Sequence, residues 1–236
     1  MIALISATWD EITLLKRDVQ VADEGVNGEL EYKIGELCGQ SVVTAMTGVG
    51  IRRARAGTSF IIQKFKPRII ICAGHGGALS PDLKVGDIVL GESVISLRKN
   101  EEKKLFSDLP FSDIGCKKGV LLTESRFINK PEEKKHLFEA SNALTVDMET
   151  WGVAEAAVQS SIPVASVRSV SDESHERLPD MGEIYGSNGE LDLEKADLYF
   201  KSAPDLISPY LKFRFKSSPR ASNSLSKFLS SLIPNL

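Results

Sequence analysis

The feature that most constrains this 236-residue sequence is the alternation of short apolar, β-branched runs with longer helical patterns. The clearest run spans Arg68–Cys72 and leads into the glycine-rich stretch 74–77, and another spans Val164–Val170. Short runs that are apolar throughout are typical of strands buried on both faces, and strands that alternate with helices favour parallel pairing. The pattern predicts an α/β fold, a three-layer sandwich whose central, twisted, mostly parallel mixed sheet is flanked by helices.

The remaining elements continue this alternation. Further strands are predicted at Ile2–Ile5, Glu31–Ile34, Ser41–Met46, Asp87–Leu90, Gly119–Thr123 and Leu144–Val146. Helices are predicted at about 10–18, about 52–64, from Pro131 onward and at about 150–159. Asp10 and Glu11 are placed in the first turn of the first helix, where acids interact favourably with the helix dipole. The stretch 74–77 is interpreted as a turn at a strand end, either a tight connection or a place where backbone approaches a ligand closely.

Charge is divided unevenly along the chain. The formal net charge is −3, but residues 201–236 hold six basic residues and one acid, a balance of +5, which leaves −8 in residues 1–200. We predict one α/β domain over residues 1–200 and a basic, Ser-rich, amphipathic helical tail over residues 201–236. The tail either docks on the protein's own surface or contacts an anionic membrane peripherally. Its apolar residues at helical spacing are Leu225, Phe228, Leu229, Leu232 and Ile233.

Several classes of protein are excluded by what the sequence lacks. The three cysteines are widely spaced without a CxxC pair, which argues against a disulfide scaffold or structural zinc. No signal peptide and no apolar run of roughly 20 residues is present, so we expect a cytoplasmic protein. Zinc-protease and serine-hydrolase motifs are missing, and we predict no metal and no cofactor. The acidic body and a basic tail without a recognised fold argue against a nucleic-acid partner.

Three carboxylates occupy equivalent places in the predicted topology. Glu11, Glu149 and Asp172 each come just after or at the end of a predicted strand. A single acid at a helix start is usually a cap, but ligands gather at the carboxyl ends of parallel strands, and acid/base chemistry needs carboxylates in different environments. Arg168 interrupts an apolar strand, and a buried arginine requires partners that these carboxylates would supply.

Two other groups could bind an anion. His75 lies within the glycine-rich stretch, whereas Arg52 and Arg53 begin a helix directly after a glycine turn. Helix N-termini attract phosphate, so His75 with Arg52 or Arg53 is a candidate phosphate site. A solvated or subunit-facing surface is an equally good interpretation of the two arginines.

A set of motifs in constant order carries a family resemblance. The motifs are A-T-W-D-E-I-T-L-L at 7–15, T-G-V-G at 47–50, G-H-G-G-A-L at 74–79, L-K-V-G-D-I-V at 83–89, R-F-I-N at 126–129, V-D-M-E-T at 146–150 and V-R-S-V-S-D at 167–172. With them the chain resembles the nucleoside phosphorylase/nucleosidase superfamily, especially the methylthioadenosine/S-adenosylhomocysteine nucleosidases. Two later motifs are S-D-E-S-H-E-R-L-P at 171–179 and P-D-L-I-S-P-Y-L-K-F at 204–213. In these the chain is more similar to the hopanoid-associated branch of phosphorylases or adenosylhopane nucleosidases.

The resemblance implies cleavage of the N-glycosidic bond of an adenosine derivative, methylthioadenosine/S-adenosylhomocysteine-like or adenosylhopane-like, with release of adenine. It makes Asp172 the general acid for purine N7, Glu149 the acceptor for the ribose hydroxyls and Glu11 the group that orients or deprotonates the attacking water. Met148 would pack on the sugar and Phe127 would stack on the base. The other substrate-binding residues implied are Ile128, Val49, Gly50, Gly76, Gly77, His75 and Arg168.

The nucleophile and the assembly stay open at this point. Phosphorylases of the family place an arginine where this chain has Cys72, and the nucleosidases place a small hydroxyl residue at His75. Glu11 without that arginine favours water, because phosphate needs a fixed cation beside it. A phosphate-dependent purine nucleoside phosphorylase is the alternative, and a catalytically silent nucleoside-binding or membrane-associated module is a third. The resemblance also implies a homodimer or larger homo-oligomer.

Overall fold

The computed structural model describes residues 1–109, 115–185 and 191–236. Its strands are β1 (Ile2–Ser6), β2 (Gln20–Asn27), β3 (Leu30–Leu37), β4 (Gln40–Met46), β5 (Ile69–Ala78), β6 (Ile88–Ser96), β7 (Glu101–Lys104), β8 (Lys117–Thr123), β9 (Thr145–Asp147) and β10 (Val164–Asp172). Its α-helices are α1 (Thr13–Asp18), α2 (Ile51–Phe65), α3 (Pro131–Ser141), α4 (Thr150–Gln159), α5 (Met181–Ile184), α6 (Leu193–Ser202), α7 (Ile207–Lys212) and α8 (Ser218–Leu232). A π-helical turn at Phe213–Ser217 joins α7 to α8.

The long strand β5 organises the sheet. It pairs in parallel with β1 and β10, and its last two residues pair antiparallel with β9. Strands β5, β10, β6, β8 and β9 are hydrogen-bonded in a closed circuit, and β4, β3 and β2 extend the sheet beyond β1. The described strands make five parallel pairings and five antiparallel ones. The predicted mixed sheet flanked by helices is confirmed, with a larger antiparallel share than the sequence indicates.

Helices cover both faces of the central strands. Side chains of a strand alternate between its faces, so each central strand feeds two hydrophobic cores. Helices α2 and α4 pack against one another over the first core, whereas α1 and α8 cover the second. From β5, Ile70 and Cys72 belong to the first core, and Ile69, Ile71 and Ala73 belong to the second.

The C-terminal helix is part of this second core. Its apolar side chains are fully buried with those of β1 and β5, namely Leu225, Phe228, Leu229 and Leu232, followed by Ile233 just after the helix. The apolar face that suggested membrane contact is therefore turned toward the sheet. Some of the tail's basic residues are paired as well, Lys212 with Glu176 and Arg214 with Asp10. Among the described residues, no helix combines the length and apolar character that a membrane crossing requires.

Three differences from the sequence prediction bear on the site. Residues 74–77 are not a turn, because β5 continues through them to Ala78. Helix α1 begins at Thr13, so Asp10 and Glu11 precede it instead of forming its first turn. Strand β10 runs two residues beyond Val170 and ends at Asp172. As a result, His75 and Asp172 lie within strands, and Glu11 lies in the segment between β1 and α1.

The burial of α8 predicts a strong dependence of stability on its core residues. Phe228 is fully buried, so Phe228→Ala should lower the free energy of unfolding by about 3–5 kcal/mol through lost burial and a new cavity. Phe215 is 71% exposed, and Phe215→Ala should change it by no more than about 0.5 kcal/mol. Urea unfolding followed by circular dichroism measures both variants. Equal losses in the two would contradict the placement of α8.

Candidate functional site

One cavity collects the ends of several strands. The segments that follow β1, β4 and β8 surround it, together with the ends of β5, β9 and β10. Because parallel strands end at the same edge of a sheet, side chains distant in sequence converge there. Its lining consists of Ala7, Glu11, Val49, His75, Gly76, Gly77, Arg126, Phe127, Ile128, Val146, Asp147, Met148, Glu149, Ser171 and Phe213.

Glu11 is held rigidly at the cavity wall. Its Oε1 accepts a 2.8 Å hydrogen bond from the backbone N of His75 in β5. Its Oε2 accepts from Ser6 Oγ at 2.8 Å and from the backbone N of Ala7 and of Thr8 at 3.1 Å. Four donors converge on one carboxylate because the chain turns back over it directly after β1. This arrangement fixes the carboxylate in one orientation.

Glu149 is the more loosely bonded carboxylate of the lining. Its Oε1 accepts from the backbone N of Gly50 at 2.9 Å, whereas its Oε2 lies 3.9 Å from Arg168 Nη1. Burial raises the pKa of the Glu149 carboxyl group to about 7, and the charge of Arg168 opposes this rise. The negative charges of Glu11 and Asp147 raise it further. Glu149 therefore titrates near neutrality.

Arg168 lies beneath the cavity with its charge already compensated. Its Nε is 2.9 Å from Asp147 Oδ2, and its Nη2 donates to Thr150 Oγ1 at 2.7 Å and to Cys72 Sγ at 2.9 Å. Asp147 was missed at the sequence level, although it ends β9 two residues before Glu149. Burial raises the pKa of the Cys72 thiol to about 12, so this cysteine is a neutral packing group. The buried arginine thus has a partner, as expected, but chiefly Asp147.

Asp172 is behind the cavity wall instead of in the lining. It is 1% exposed and lies against Gly77, where a Cβ atom would be 3.2 Å from Asp172 Oδ2. Its Oδ1 accepts from Ser171 Oγ at 2.7 Å, and its Oδ2 is 2.5 Å from Nζ of Lys134 in α3. Lys134 is completely buried. It was missed because the stretch P-E-E-K-K-H resembles an ordinary solvated helix face.

His75 connects the cavity to the C-terminal helix. Its Nε2 is 3.0 Å from Ser222 Oγ of α8, and that hydroxyl donates to the backbone O of Asp10 at 2.9 Å. The serine hydrogen is therefore used, which assigns the bridging hydrogen to Nε2 of His75. Burial lowers the pKa of His75, against the field of Glu11, and favours the neutral imidazole.

The structure brings most of the predicted site residues together. Glu11, Val49, His75, Gly76, Gly77, Phe127, Ile128, Met148 and Glu149 line the cavity, and Gly50, Arg168 and Asp172 lie directly behind it. Arg52 and Arg53 do not join His75; they line a separate groove, where Arg53 Nε is 2.6 Å from Glu29 Oε2. In residues 1–109, 115–185 and 191–236, no group of three or more His, Cys, Asp or Glu side chains is arranged to hold a metal ion.

Gly74 has no side chain, and the charged groups of Arg168 and Glu11 occupy the space that a side chain there would fill. A Cβ atom there would lie 2.5 Å from Arg168 Nη1 and 2.8 Å from Glu11 Oε1, and both side chains are held by other hydrogen bonds. Gly74→Ala should therefore lower the free energy of unfolding by about 1–3 kcal/mol through overpacking. Gly115→Ala is the control, because a Cβ atom there meets nothing within 4 Å. Thermal unfolding compares the variants, and similar melting temperatures would contradict the crowding.

The raised pKa of Glu149 predicts a pH-dependent stability difference. Between its unfolded value near 4.5 and its folded value of about 7, only the folded state keeps the proton, so stability falls as pH rises. Glu149→Gln removes this loss. From pH 5 to pH 8 the stability of the variant relative to wild type should rise by about 3 kcal/mol. Urea unfolding at both pH values measures it, and parallel pH profiles would contradict the raised pKa.

The sequence matches a known protein family, and the fold matches solved structures. A family model described as the Phosphorylase superfamily matches residues 1–114 and 106–196. The 5'-methylthioadenosine/S-adenosylhomocysteine nucleosidase of Staphylococcus aureus (strain bovine RF122 / ET3-1) is 28% identical over 196 residues, which is 73% of this chain and 86% of the relative. The structure of the nucleosidase of that name from Neisseria meningitidis, in complex with methylthio-immucillin-A, has a TM-score of 0.72 at 22% identity and covers 100% of this chain and 99% of its own. Futalosine hydrolase of Helicobacter pylori has a TM-score of 0.71 at 19% identity and covers 100% and 97%. The chain belongs to the Phosphorylase superfamily.

Proposed function

We propose that the protein is a purine nucleosidase that hydrolyses the N-glycosidic bond of an adenosine derivative and releases adenine. The observation that carries the proposal is that Glu11 and Glu149 line one cavity while Asp172 lies directly behind its wall at Gly77. The three carboxylates have different partners, as distinct roles in acid/base chemistry require. The similarity to methylthioadenosine/S-adenosylhomocysteine nucleosidases supports the adenosine class of substrate.

The sugar end of the cavity is assigned to Glu149 and Met148. Glu149 Oε1 accepts from Gly50. Among the described residues, Oε2 has only the 3.3 Å contact with the Met148 backbone N and the distant Arg168. That oxygen can accept a hydrogen bond from a ribose hydroxyl. Met148 lines the cavity beside it and can pack on the sugar. Positive charge that develops on the ribose during cleavage is stabilised by the neighbouring carboxylates.

The base end is assigned to Phe127, Ile128 and Asp172. Phe127 lines the cavity and can stack on a purine, and the backbone of Ile128 can read the base edge. Asp172 lies directly behind Gly77, within reach of a group seated against that glycine. It serves as the general acid for N7, a role that contributes roughly 10²- to 10⁴-fold in rate.

Water is the nucleophile that the cavity favours. Glu11 presents a fixed carboxylate that orients or deprotonates it. A phosphate dianion would meet no uncompensated cation among the described lining residues, because Arg126 is paired with Glu133 and His75 is neutral. Arg168, beneath the lining, is paired with Asp147. Such a site disfavours the alternative, a phosphate-dependent phosphorylase, which needs a cation beside its nucleophile.

Other expectations from the sequence remain predictions. We propose a homodimer or larger assembly and a cytoplasmic location. Peripheral membrane contact by the tail would have to use its exposed basic residues, since the apolar face of α8 is buried. The nature of the 5′ substituent, methylthio, homocysteinyl or an adenosyl-lipid, is a matter for the substrate test.

A direct assay tests the proposal. Purified protein is incubated with methylthioadenosine, S-adenosylhomocysteine, adenosine or an adenosyl-lipid, with and without phosphate, and adenine is measured by chromatography. We expect release without phosphate. Asp172→Asn should lower kcat by about 10²-fold or more, since the general acid is lost. Glu139→Gln, which alters an exposed carboxylate of α3, is the control and should leave kcat unchanged.

The remaining outcomes separate the alternatives. No adenine from any substrate contradicts the proposal. Strict dependence on phosphate transfers the assignment to a phosphorylase. Unchanged rates of adenine release in both Asp172→Asn and Glu149→Gln would mean that these carboxylates take no part in catalysis.

A further inference from the structure

A fully buried lysine contacts the proposed general acid. Lys134 Nζ lies 2.5 Å from Asp172 Oδ2 and donates to the backbone O of Glu173 at 2.9 Å and of Glu176 at 3.3 Å. Lysine is almost never completely buried unless it is paired. Each of the three N–H donors of an ammonium ion has an acceptor here, so the geometry is that of a charged Lys134.

Asp172 is the carboxylate partner of this ammonium. Its Oδ2 accepts from Lys134, and its Oδ1 accepts from Ser171 Oγ. In such an ion pair the carboxylate is the acceptor, and the proton that could be passed on is on Lys134. A general acid must nevertheless give a proton to the leaving base.

We infer that Lys134 delivers, through Asp172, the proton that the leaving purine takes up. The inference rests on the proposed function and makes Lys134 a positioning and proton-supplying residue that acts through Asp172. The same Oδ2 that contacts Lys134 is the oxygen nearest to the Cβ position of Gly77, at 3.2 Å, and Gly77 lines the cavity. The proton therefore has a short path from the buried amine to the cavity wall.

When the bond between ribose C1′ and purine N9 breaks, its electron pair passes to the base. One proton moves from Lys134 Nζ to the Asp172 carboxylate and one from the Asp172 carboxyl group to N7, so adenine departs neutral and Lys134 is left as a neutral amine. The attacking water bonds to C1′ through its oxygen and gives a proton to Glu11. Exchange with solvent then restores the lysine ammonium and the Glu11 carboxylate.

Two substitutions of Lys134 separate the delivery of a proton from the electrostatic stabilisation of the Asp172 carboxylate. Lys134→Met removes both the charge and the proton, and should lower kcat for adenine release by about 10²-fold. KM should change little, because Lys134 does not line the cavity. Lys134→Arg keeps a cation for Asp172 and for the two carbonyls, but arginine does not give up its proton. We expect its kcat to stay at least about tenfold below wild type with KM again unchanged.

The matched control is Lys135→Met, the same substitution at the adjacent, exposed lysine of α3, which should leave kcat and KM unchanged. Circular dichroism and thermal unfolding establish that each variant is folded. Should Lys134→Met fail to fold, Lys134→Arg decides alone. Wild-type kcat in Lys134→Arg, or a rise in KM without a fall in kcat, overturns the inference. Wild-type protein that releases no adenine contradicts the proposed function itself, which is a distinguishable result.

Discussion

The buried ion pair between Arg168 and Asp147 is the interaction on which the rest of the site depends. Arg168 comes from β10 and Asp147 from the end of β9, and Arg168 also bonds to Thr150 of α4 and Cys72 of β5. Removing one partner of such a pair leaves an uncompensated buried charge, which costs about 3–5 kcal/mol. The pair and these hydrogen bonds thus join β5, β9, β10 and α4 beneath the cavity. The pair also compensates the positive charge of Arg168.

The C-terminal helix contributes both stability and part of the site's surroundings. It covers the second face of β1 and β5 with fully buried Leu225, Phe228 and Leu229. From the same helix, Ser222 bridges His75 and the backbone of Asp10. The charge division between residues 1–200 and 201–236 is therefore a property of surfaces. The hydrophobic core is not divided at residue 200, because the second core contains residues from both segments.

Much of the fold follows from local pattern, and most of the site follows from topology. Mostly apolar runs identify β1, β5 and β10, because strands covered on both faces bury nearly all their side chains. Glu11 and Glu149 could be placed at one edge of the sheet because each follows a predicted strand, and the carboxyl ends of parallel strands lie at the same edge. Three features escape such reasoning. Glycines within β5 resemble a turn until the side chains that fill their space are known, Lys134 looks solvated until α3 is seen to face Asp172, and Asp147 acts through a partner 21 residues away in sequence. All three depend on contacts between elements distant along the chain, on which local periodicity carries no information.

The distribution of buried charge also explains why one cavity could perform both halves of a glycosidic cleavage. At one end, Glu11 and Glu149 stand near a cation already neutralised by Asp147, so the local field favours positive charge. At the other end, Asp172 forms an ion pair with Lys134, so that end carries no net charge but can supply a proton to the departing base. Cleavage of a nucleoside develops positive charge on the ribose and negative charge on the base. Charged groups that are held in place before the substrate binds need not reorganise in the transition state. This preorganisation is the source of electrostatic catalysis.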